Sequence, residues 1–258
     1  MPQSRHGDWM RRASMMRSVV LAAYEGSQFI GTQLDSIVAQ LARDDEVIVS
    51  DDASKDETVE IVARRNDPRI RVLRNPRRLG YVKNFERAIA SARGEYIVFS
   101  DQDDVWLPNK LSAVCAALAR TPCVVSDAIV VDESLRELHA SYFQLRQVTS
   151  FTFTSTFVKP CFIGATMACR RSYLETLMPF PSGVPHDFWI SLNAAWEGNL
   201  EIIRDPLILY RRHPSTASVT ATAAKRQAAT IFRERLAMAK YLFVRRCGSL
   251  ARRLYSGR

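Results

Sequence analysis

The chain has 258 residues, of which 47% are hydrophobic and 24% are charged, and 36 lysines and arginines face 27 aspartates and glutamates. A chain of this length and apolar content buries about 70–75% of the surface that its unfolded form exposes, which is enough for one large domain or two small ones. The composition excludes a collagen-like chain, a disordered tail protein and a mini-protein that depends on cross-links.

The net charge of +9 is concentrated at the two ends of the chain. Residues 225–258 contain ten lysines and arginines but one acid, so this segment alone carries +9. Residues 1–17 add +3, and residues 18–224 carry −3. The body of the chain is therefore near neutral, and the excess positive charge belongs to its ends.

Cysteine spacing and hydropathy indicate the compartment. The five cysteines are widely spaced and include no CxxC pair, which predicts neither a disulfide framework nor a zinc cluster and favours a reducing cytoplasm. No segment reaches the roughly 20 apolar residues of a membrane-spanning helix. The nearest apolar run, residues 18–24, is interrupted by Glu25 and Gly26, and we interpret it as a first strand.

From Ser18 onwards, short β-branched runs alternate with helical patterns, which is typical of a parallel sheet built from β-α-β units. Strands are predicted at 18–24, 46–50, 69–73, 95–100 and from Val124, and helices at 30–41, 58–65, 82–92 and 108–119. We expect Gly94 to end the third helix and Pro108 to lie in the first turn of the fourth. The first 130 or so residues are therefore predicted to be doubly wound.

The alternation ends in the second half of the chain. Residues 134–160 show no clear period and predict a long loop over one face, of a kind that is often functional. Residues 161–213 predict a short mixed segment with a helix over 187–196 and a strand over 200–204. From about Ala224 one amphipathic helix is predicted, because apolar residues recur at spacings of three and four. Its stripe consists of Phe232, Leu236, Ala239, Phe243, Cys247, Leu250 and Leu254.

Two acidic clusters follow predicted strands: Asp51 and Asp52 after the second strand, and Asp101, Asp103 and Asp104 after the fourth. Ligands of open α/β sheets bind at the carboxyl ends of the strands, so we expect both clusters to face one crevice. Five carboxylates there require neutralisation, and a hard divalent cation with oxygen ligands suits them. Each cluster alone could instead be an Asx turn or a helix cap, but two clusters in matching positions favour the ligand site.

Five stretches of the sequence carry a family resemblance: VVLAAYEG at 19–26, EVIVSDDASKDET at 46–58, NPRRLGYVKNFERAIASARGEYIVFSDQDDVWLPNKL at 75–111, HDFW at 186–189 and YRRH at 210–213. They resemble the inverting family 2 glycosyltransferases, and within these the bacterial rhamnosyltransferase-like group. The resemblance covers about residues 17–215, and SDQDDVW is its most specific part.

The resemblance implies a GT-A fold of the α/β class: a Rossmann-like, doubly wound, mostly parallel sheet, a smaller mixed acceptor-side segment and a C-terminal amphipathic helix. It implies a nucleotide-diphosphate sugar donor and a divalent cation, Mg²⁺ or Mn²⁺. The expected divisions are a flexible extension at 1–16, the nucleotide-sugar-binding half at 17–130, the acceptor-side half with the catalytic base at 131–215, and the basic helix at 216–258.

The resemblance also assigns site residues. Asp187 matches the catalytic base, although its position could also be a helix N-cap. Asp101 and Asp103 match the D-x-D motif, with Asp103 as the expected direct metal ligand and His213 as a further one. The donor-binding candidates are Ala22, Tyr24, Asp51, Asp52, Asn75, Gly80, Lys83, Asn84, Asp101, Gln102 and Arg212. Asp52 is expected to contact the base of the nucleotide, and Arg212 a phosphate, unless Arg212 and His213 form an ordinary basic loop.

The implied activity moves a sugar, with rhamnose as one candidate, from the donor to a hydroxyl of a saccharide or lipid-linked acceptor in cell-surface polysaccharide synthesis. A nucleotidyltransferase that makes the activated sugar is an alternative, but the first strand lacks the Gly-rich phosphate loop it needs. A nucleic-acid binder acting through the basic tail is a further alternative, disfavoured because the body carries no such signature, and we expect no nucleic-acid partner.

The basic tail has two interpretations. It can lie on an anionic membrane surface. In that case we expect a cytoplasmic protein whose tail contacts the inner face of the plasma membrane. Alternatively its apolar stripe packs on the catalytic domain or on a second subunit, as most amphipathic helices do.

Overall fold

A computed structural model of the protein describes residues 15–213, 235–236 and 238–245. The predicted N-terminal extension therefore lies outside the described residues except for its last two positions. Most of the predicted C-terminal helix also lies outside them. None of the described helices is long and apolar enough to cross a membrane.

The described residues form alternating strands and helices in the first half and a mixed pattern in the second. The strands are β1 (Arg17–Ala23), β2 (Glu46–Asp51), β3 (Ile70–Arg74), β4 (Tyr96–Asp101), β5 (Val105–Trp106), β6 (Cys123–Val131), β7 (Glu137–His139), β8 (Met167–Arg170) and β9 (Leu200–Arg211). The helices are α1 (Ile30–Val38), α2 (Thr58–Ala63), α3 (Tyr81–Ser91), α4 (Lys110–Leu118), α5 (Tyr142–Leu145), α6 (Phe153–Val158), α7 (Arg171–Leu177) and α8 (His186–Glu197).

Within the described part of the chain these strands form one sheet in the order β3-β2-β1-β4-β8-β6-β9-β5, with β7 paired to β6. The β3-β2-β1-β4 half is entirely parallel. Strand β8 then pairs antiparallel with both β4 and β6, and β6 runs parallel to β9. The predicted α/β class, with a doubly wound parallel half and a smaller mixed half, is confirmed.

The central strands β1, β2 and β4 are buried because their apolar runs are continuous rather than alternating, which is typical of parallel strands covered on both faces. The side chains of 19–21, 47–49 and 97–99 are at most 1% exposed. Helix α3 packs against β1 and β2 through Phe85, Ala88 and Ile89. Such burial contributes about 1.5–3 kcal/mol for each large apolar side chain.

Gly94 and Pro108 do not have the predicted roles. Helix α3 ends at Ser91 and the chain continues extended from Ala92, so Gly94 is not a helix cap. A Cβ on Gly94 would lie 2.6 Å from the Ser18 backbone nitrogen, and the glycine therefore permits close approach to β1. Pro108 precedes α4 rather than opening it, because Asn109 adopts a left-handed conformation (φ +74°) before the helix begins at Lys110.

The long loop predicted over 134–160 is only partly a loop, since it contains β7, α5 and α6. Local capping explains the two helices. Ser141 caps α5 by accepting a hydrogen bond from the Gln144 backbone nitrogen, and Thr152 caps α6 in the same way through Ser155. Helices this short give weak periodicity, and the aromatic side chains of Phe143, Phe151 and Phe153 pack them onto the domain.

The described C-terminal residues are helical and dock on the domain, but not through the predicted stripe. Met238 is fully buried and Leu242 is 9% exposed, whereas the stripe residues Leu236 and Phe243 are 61% and 71% exposed. Arg245 fixes the same docked face by an ion pair with Glu197 of α8 (3.4 Å). For these residues the alternative in which the stripe packs on the catalytic domain is therefore wrong, because a neighbouring face of the same helix makes the contact.

Candidate active site

Strand register brings the two acidic clusters to one edge of the sheet. In the parallel ladders Ala23 of β1 pairs with Asp51 of β2, and Ala22 pairs with Asp101 of β4. Both clusters therefore leave the sheet at its carboxyl edge, on either side of the end of β1. Ligands bind at this position in open α/β sheets.

The D-x-D loop meets the end of β9 at this edge. The Asp103 carboxylate Oδ2 lies 2.9 Å from His213 Nε2, and both side chains are largely buried. The His213 ring packs against Phe29, with 4.7 Å between ring centroids. The next acid, Asp104, is 1% exposed and accepts a hydrogen bond from the Arg211 backbone nitrogen.

Arg211 holds this loop and was not predicted as a site residue. Its Nε donates to the Asp103 carbonyl oxygen (2.7 Å), and Nη1 donates to the Glu133 carbonyl oxygen. The guanidinium also stacks over the Phe29 ring at 4.7 Å. Arg211 belongs to the YRRH stretch, from which the sequence predicts Arg212 and His213 as site residues. The sequence does not distinguish Arg211 from Arg212, and only the tertiary contacts identify Arg211 as the residue that holds the loop.

Charge accumulates in this cluster. Burial, followed by the negative charges of Asp103 and Asp187, raises the pKa of Asp101 to about 7. Burial followed by the charges of Asp103 and Asp101 also raises the pKa of Asp104 well above its usual range. Such mutual repulsion favours a bound cation or donor-rich ligand at this edge.

Asp187 lies in the first turn of α8. Its Oδ1 accepts a hydrogen bond from the Phe188 backbone nitrogen (2.8 Å). Pro185 occupies the N-cap position, so Asp187 is not the helix cap. Burial raises the pKa of Asp187 to about 6, while hydrogen bonds from the backbone of Phe188, Asp187 and Gly164 oppose the rise. Because the Asp187 charge raises the pKa of Asp101, the two carboxylates face the same site.

The neighbouring His186 is structural. Its ring is buried among Phe85 (4.4 Å between centroids), Phe99 (5.6 Å) and Phe180 (6.4 Å). Burial lowers the pKa of His186 to about 3, so the ring stays neutral. A Cβ on Gly164 would lie 2.9 Å from His186 Nε2. Glycine is therefore required for the turn at 164–166 to pack against the start of α8.

On the donor side, the predicted contacts form a network within the protein. The Asp52 carboxylate accepts hydrogen bonds from Asn75 Nδ2 (2.8 Å) and from the backbone nitrogens of Leu79 (2.7 Å) and Gly80 (2.8 Å). Asn84 joins the same network, since its Oδ1 accepts from Asn75 Nδ2 (2.9 Å) and its Nδ2 donates to the Ser50 carbonyl oxygen (2.6 Å). These groups hold the 75–80 loop over β2, and their direct contact with a nucleotide stays a prediction.

An open cavity of about 470 Å³ lies beside this network. It is lined by Ala53, Ser54, Lys55, Arg74, Asn75 and Pro76. Asp51 lies beneath it, fully buried, and accepts a hydrogen bond from the Ser54 backbone nitrogen (3.2 Å). The cavity is therefore lined by the basic side chains of Lys55 and Arg74 together with hydrogen-bonded polar groups.

Gln102 and Tyr24 bind each other. Gln102 Oε1 accepts from the Tyr24 backbone nitrogen (2.8 Å), and its Nε2 donates to the Tyr24 carbonyl oxygen (3.0 Å). A Cβ on Gly26 would lie 2.1 Å from Gln102 Oε1, so this clamp requires glycine at that position. The Arg78 guanidinium stacks over the Tyr24 ring at 3.9 Å. The clamp ties the loop after β1 to the D-x-D loop.

Three other candidates have less specific surroundings. Ala22 contributes only sheet pairing with β2 and β4. Lys83 is half-exposed and forms an ion pair with Glu86 (2.5 Å) on α3. Arg212 stacks over Tyr210 and donates its backbone nitrogen to the Val131 carbonyl oxygen (2.9 Å). The donor-binding roles of these three residues stay predictions.

Comparison with known proteins decides the family. The family model described as glycosyl transferase family 2 matches residues 18–178, more than half of the chain. The chain belongs to glycosyl transferase family 2. The implied recognition is therefore confirmed.

Similar curated proteins are also glycosyltransferases. The Escherichia coli UDP-Glc:alpha-D-GlcNAc-diphosphoundecaprenol beta-1,3-glucosyltransferase WfgD is 23% identical over 81% of each chain. The Shigella flexneri dTDP-rhamnosyl transferase RfbG is 29% identical over 75% of this chain and 71% of that protein.

Solved structures with the same fold include the Staphylococcus aureus protein TarS in complex with UDP-GlcNAc. It is 21% identical with a TM-score of 0.63, and the match covers 80% of this chain but only 62% of that one. The Pyrobaculum calidifontis mannosyltransferase PcManGT, in complex with GDP-Man and Mn²⁺, is 21% identical with a TM-score of 0.60 and matches 96% of this chain and 77% of that one. The GT-A fold of this glycosyltransferase is thereby shown.

The residues predicted to hold a divalent cation fit one only in part. Across residues 15–213, 235–236 and 238–245, no group of three His, Cys, Asp or Glu side chains assembles, so Asp101, Asp103 and His213 do not form a complete protein cage. Asp103 and His213 do bring a carboxylate oxygen and an imidazole nitrogen to one point. Mg²⁺ in proteins usually combines one or two side chains with substrate phosphates and water, and Mn²⁺ accepts the same ligand types. The residues therefore fit a cation shared with a diphosphate.

Proposed function

We propose that this family 2 glycosyltransferase transfers a sugar, with inversion, from a nucleotide-diphosphate donor to an acceptor hydroxyl. The observation that carries the proposal is that the buried Asp187 carboxyl lies near enough to the D-x-D loop for its negative charge to raise the pKa of Asp101. In this proposal the D-x-D loop and His213 would hold the leaving diphosphate, and Asp187, whose pKa burial raises to about 6, would face the acceptor hydroxyl. Direct displacement needs this arrangement, because the base and the leaving diphosphate must lie on opposite faces of the sugar.

Asp187 would act as the general base in this proposal. A base works best when its pKa lies near the operating pH, and burial brings Asp187 close to that value. Phe188 donates a backbone hydrogen bond to Oδ1 and holds the carboxyl in place for the acceptor proton. Asp103 and His213 would hold a divalent cation, Mg²⁺ or Mn²⁺, which when bound supplies Lewis-acid stabilisation of the leaving diphosphate.

The donor and acceptor classes rest on the relatives. The neighbours bind UDP-GlcNAc or GDP-Man, and the curated relatives use UDP-glucose or a dTDP-rhamnosyl donor. The acceptor named for WfgD is a sugar linked to undecaprenol through a diphosphate. We accordingly assign this chain a nucleotide-sugar donor and a saccharide or lipid-linked acceptor of cell-surface polysaccharide synthesis, with rhamnose among the candidate sugars.

A transfer assay across pH tests this function. With UDP-, GDP- and dTDP-sugars and a lipid-diphosphate-linked GlcNAc acceptor, we expect transfer from one donor class, and kcat/KM should fall as the pH drops through about 6. Activity falls on the acidic side because the base is active only when deprotonated. Burial makes Asp187 take up its proton at a higher pH than a free aspartate, whose pKa is about 3.9. A profile that stays flat down to the range of a free aspartate, or no transfer from any donor, would contradict the proposal.

We further propose that the C-terminal segment binds an anionic membrane surface. In the docked helix, Leu236, Phe243 and Val244 are all more than 60% exposed, and Lys240 lies on the same outward side. The surrounding segment 225–258 carries +9 by sequence. Exposed apolar residues next to basic ones are typical of helices that lie in a lipid interface.

Vesicle flotation tests the membrane proposal. The full chain should float with phosphatidylglycerol vesicles and less with phosphatidylcholine vesicles, and salt should weaken the binding. The double variant Leu236→Ser, Phe243→Ser should lose binding, whereas Leu138→Ser, an exposed leucine on β7, should not. Equal flotation of both variants would show that this helix does not contact the lipid.

A further inference from the structure

Lys110, the first residue of α4, carries a buried ammonium group that the proposed reaction does not use. Its side chain is fully buried, and its Nζ donates a hydrogen bond to the Ala165 carbonyl oxygen (2.5 Å). The same nitrogen lies 4.6 Å from the centre of the Trp106 ring. Burying a cation is costly unless opposite charges and acceptors surround it, so its surroundings should explain its presence.

On one side, Lys110 contacts Trp106 of β5, the short strand that follows the D-x-D loop directly. The negative charges of Asp104 and Asp101 favour its protonated form, while burial lowers the pKa of Lys110 to about 7. Lys110 is therefore a counter-charge built into the protein behind the acidic loop.

On the other side, Lys110 holds the turn that contacts Asp187. Ala165 belongs to the 3-10 turn Gly164–Thr166, where a Cβ on Gly164 would lie 3.8 Å from the Asp187 Cβ and the Gly164 backbone lowers the pKa of Asp187. This turn fits closely against the start of α8, since a Cβ on Gly164 would lie 2.9 Å from His186 Nε2. A shift of the Ala165 peptide would therefore move the adjacent donor away from Asp187.

We propose that Lys110 is a positioning residue that couples the D-x-D loop to the turn that orients Asp187. This inference rests on the proposed function, because it concerns the same base. Strand β4 and helix α4 precede the turn by more than 45 residues in the chain, and the hydrogen bond from Lys110 to Ala165 joins the two parts in space. The consequence is that Lys110 keeps the Gly164 donor on Asp187 and keeps the pKa of that base lower.

The charged surroundings of Asp187 give the sign of the expected pH effect. Asp101 faces it from β4, the adjacent His186 remains neutral, and the turn 164–166 carries no titratable side chain. The hydrogen bond from Gly164 lowers the pKa of Asp187. Loosening the turn should therefore raise this pKa and move the acidic limb of the activity profile to higher pH.

The test replaces Lys110 with methionine, which has a similar length but neither charge nor donor. Lys110→Met should lower kcat by about 10²-fold, as small misplacements of a catalytic group do, and should move the acidic limb of kcat/KM to higher pH. The matched control is Lys159→Met. Lys159 also donates to a backbone carbonyl, that of Arg146 (2.6 Å), but it is exposed and remote from the acids, so its profile should match that of the original chain.

Further outcomes keep the inference separate from the proposed function. If Lys110→Met does not fold, Lys110→Gln, which keeps a donor without the charge, is compared with Lys110→Arg. The variant with the lower activity should then show the larger shift of the acidic limb of kcat/KM to higher pH. A folded Lys110→Met with an unmoved limb and unchanged kcat overturns the coupling, even if Asp187→Asn is inactive. Retained turnover in Asp187→Asn would instead overturn the base assignment itself.

Discussion

Replacement of Asp187 by asparagine should lower kcat for sugar transfer by about 10²–10⁴-fold, the usual contribution of a positioned general base. Asparagine has nearly the same shape and can still accept the Phe188 backbone hydrogen bond, but it cannot take a proton from the acceptor. In the proposed arrangement the nucleotide binds at the D-x-D loop and not to Asp187, so donor affinity should be retained. The measurement pairs steady-state kinetics with titration calorimetry of the nucleotide diphosphate.

Stability provides the internal control for this variant. Burial disfavours the charged form of Asp187, so the neutral asparagine should leave the fold at least as stable at alkaline pH. Asp205→Asn, at an exposed position of β9, should change neither activity nor stability. Parallel losses of donor affinity and turnover in Asp187→Asn would mean that the residue supports the site rather than the chemistry.

Asp103→Asn is the second substitution with a large expected effect. Asp103 and His213 meet at 2.9 Å, and removal of the carboxylate takes away the anionic member of the pair. We expect at least a 10-fold loss of cation-dependent donor affinity, in line with the 10–100-fold typical of damaged metal surroundings. His213→Ala should show the same loss, and a chelator should abolish activity of the original chain until Mg²⁺ or Mn²⁺ is restored.

The exposed Asp44→Asn variant is the matched control, since it removes the same charge away from the site. It should leave the cation dependence unchanged. Donor affinity that is insensitive to chelator, and equal in Asp103→Asn and Asp44→Asn, would contradict the assignment of the cation to this pair.

The parallel half of the fold could be predicted because its signals are local. The buried runs at 19–21, 47–49 and 97–99 are continuous and mostly β-branched, and Asp51 and Asp101 lie two residues after the second and third of them. The convergence of the acidic clusters then follows from the common direction of parallel strands. The two-residue strand β5 was missed because it is defined by its pairing with Ile208 and Leu209 of β9, about one hundred residues away.

Side-chain roles were less predictable because most depend on distant partners. Asp52, Asn75 and Asn84 were expected to contact the nucleotide, and the structure shows them ordering the loop at 75–80. The choice between Arg211 and Arg212 likewise depends on the D-x-D loop, more than one hundred residues earlier in the sequence. Such contacts leave no periodic signal in the sequence.

The C-terminal helix illustrates a limit of periodicity. Its sequence has apolar residues on two adjacent faces, one through Leu236 and Phe243 and one through Met238 and Leu242. Periodicity favoured the longer stripe, but the domain buries the shorter one. The face that packs is decided by the complementary surface around Trp189, whose ring contacts Tyr241 with 6.5 Å between centroids.

A crystal structure of the full chain with Mn²⁺ and a non-transferable nucleotide sugar tests the shared site most directly. We expect the anomalous signal of the metal between Asp103 and His213, the diphosphate beside it, and the anomeric carbon of the sugar facing Asp187. A metal bound elsewhere, or a sugar whose anomeric carbon points away from α8, would contradict the proposed reaction.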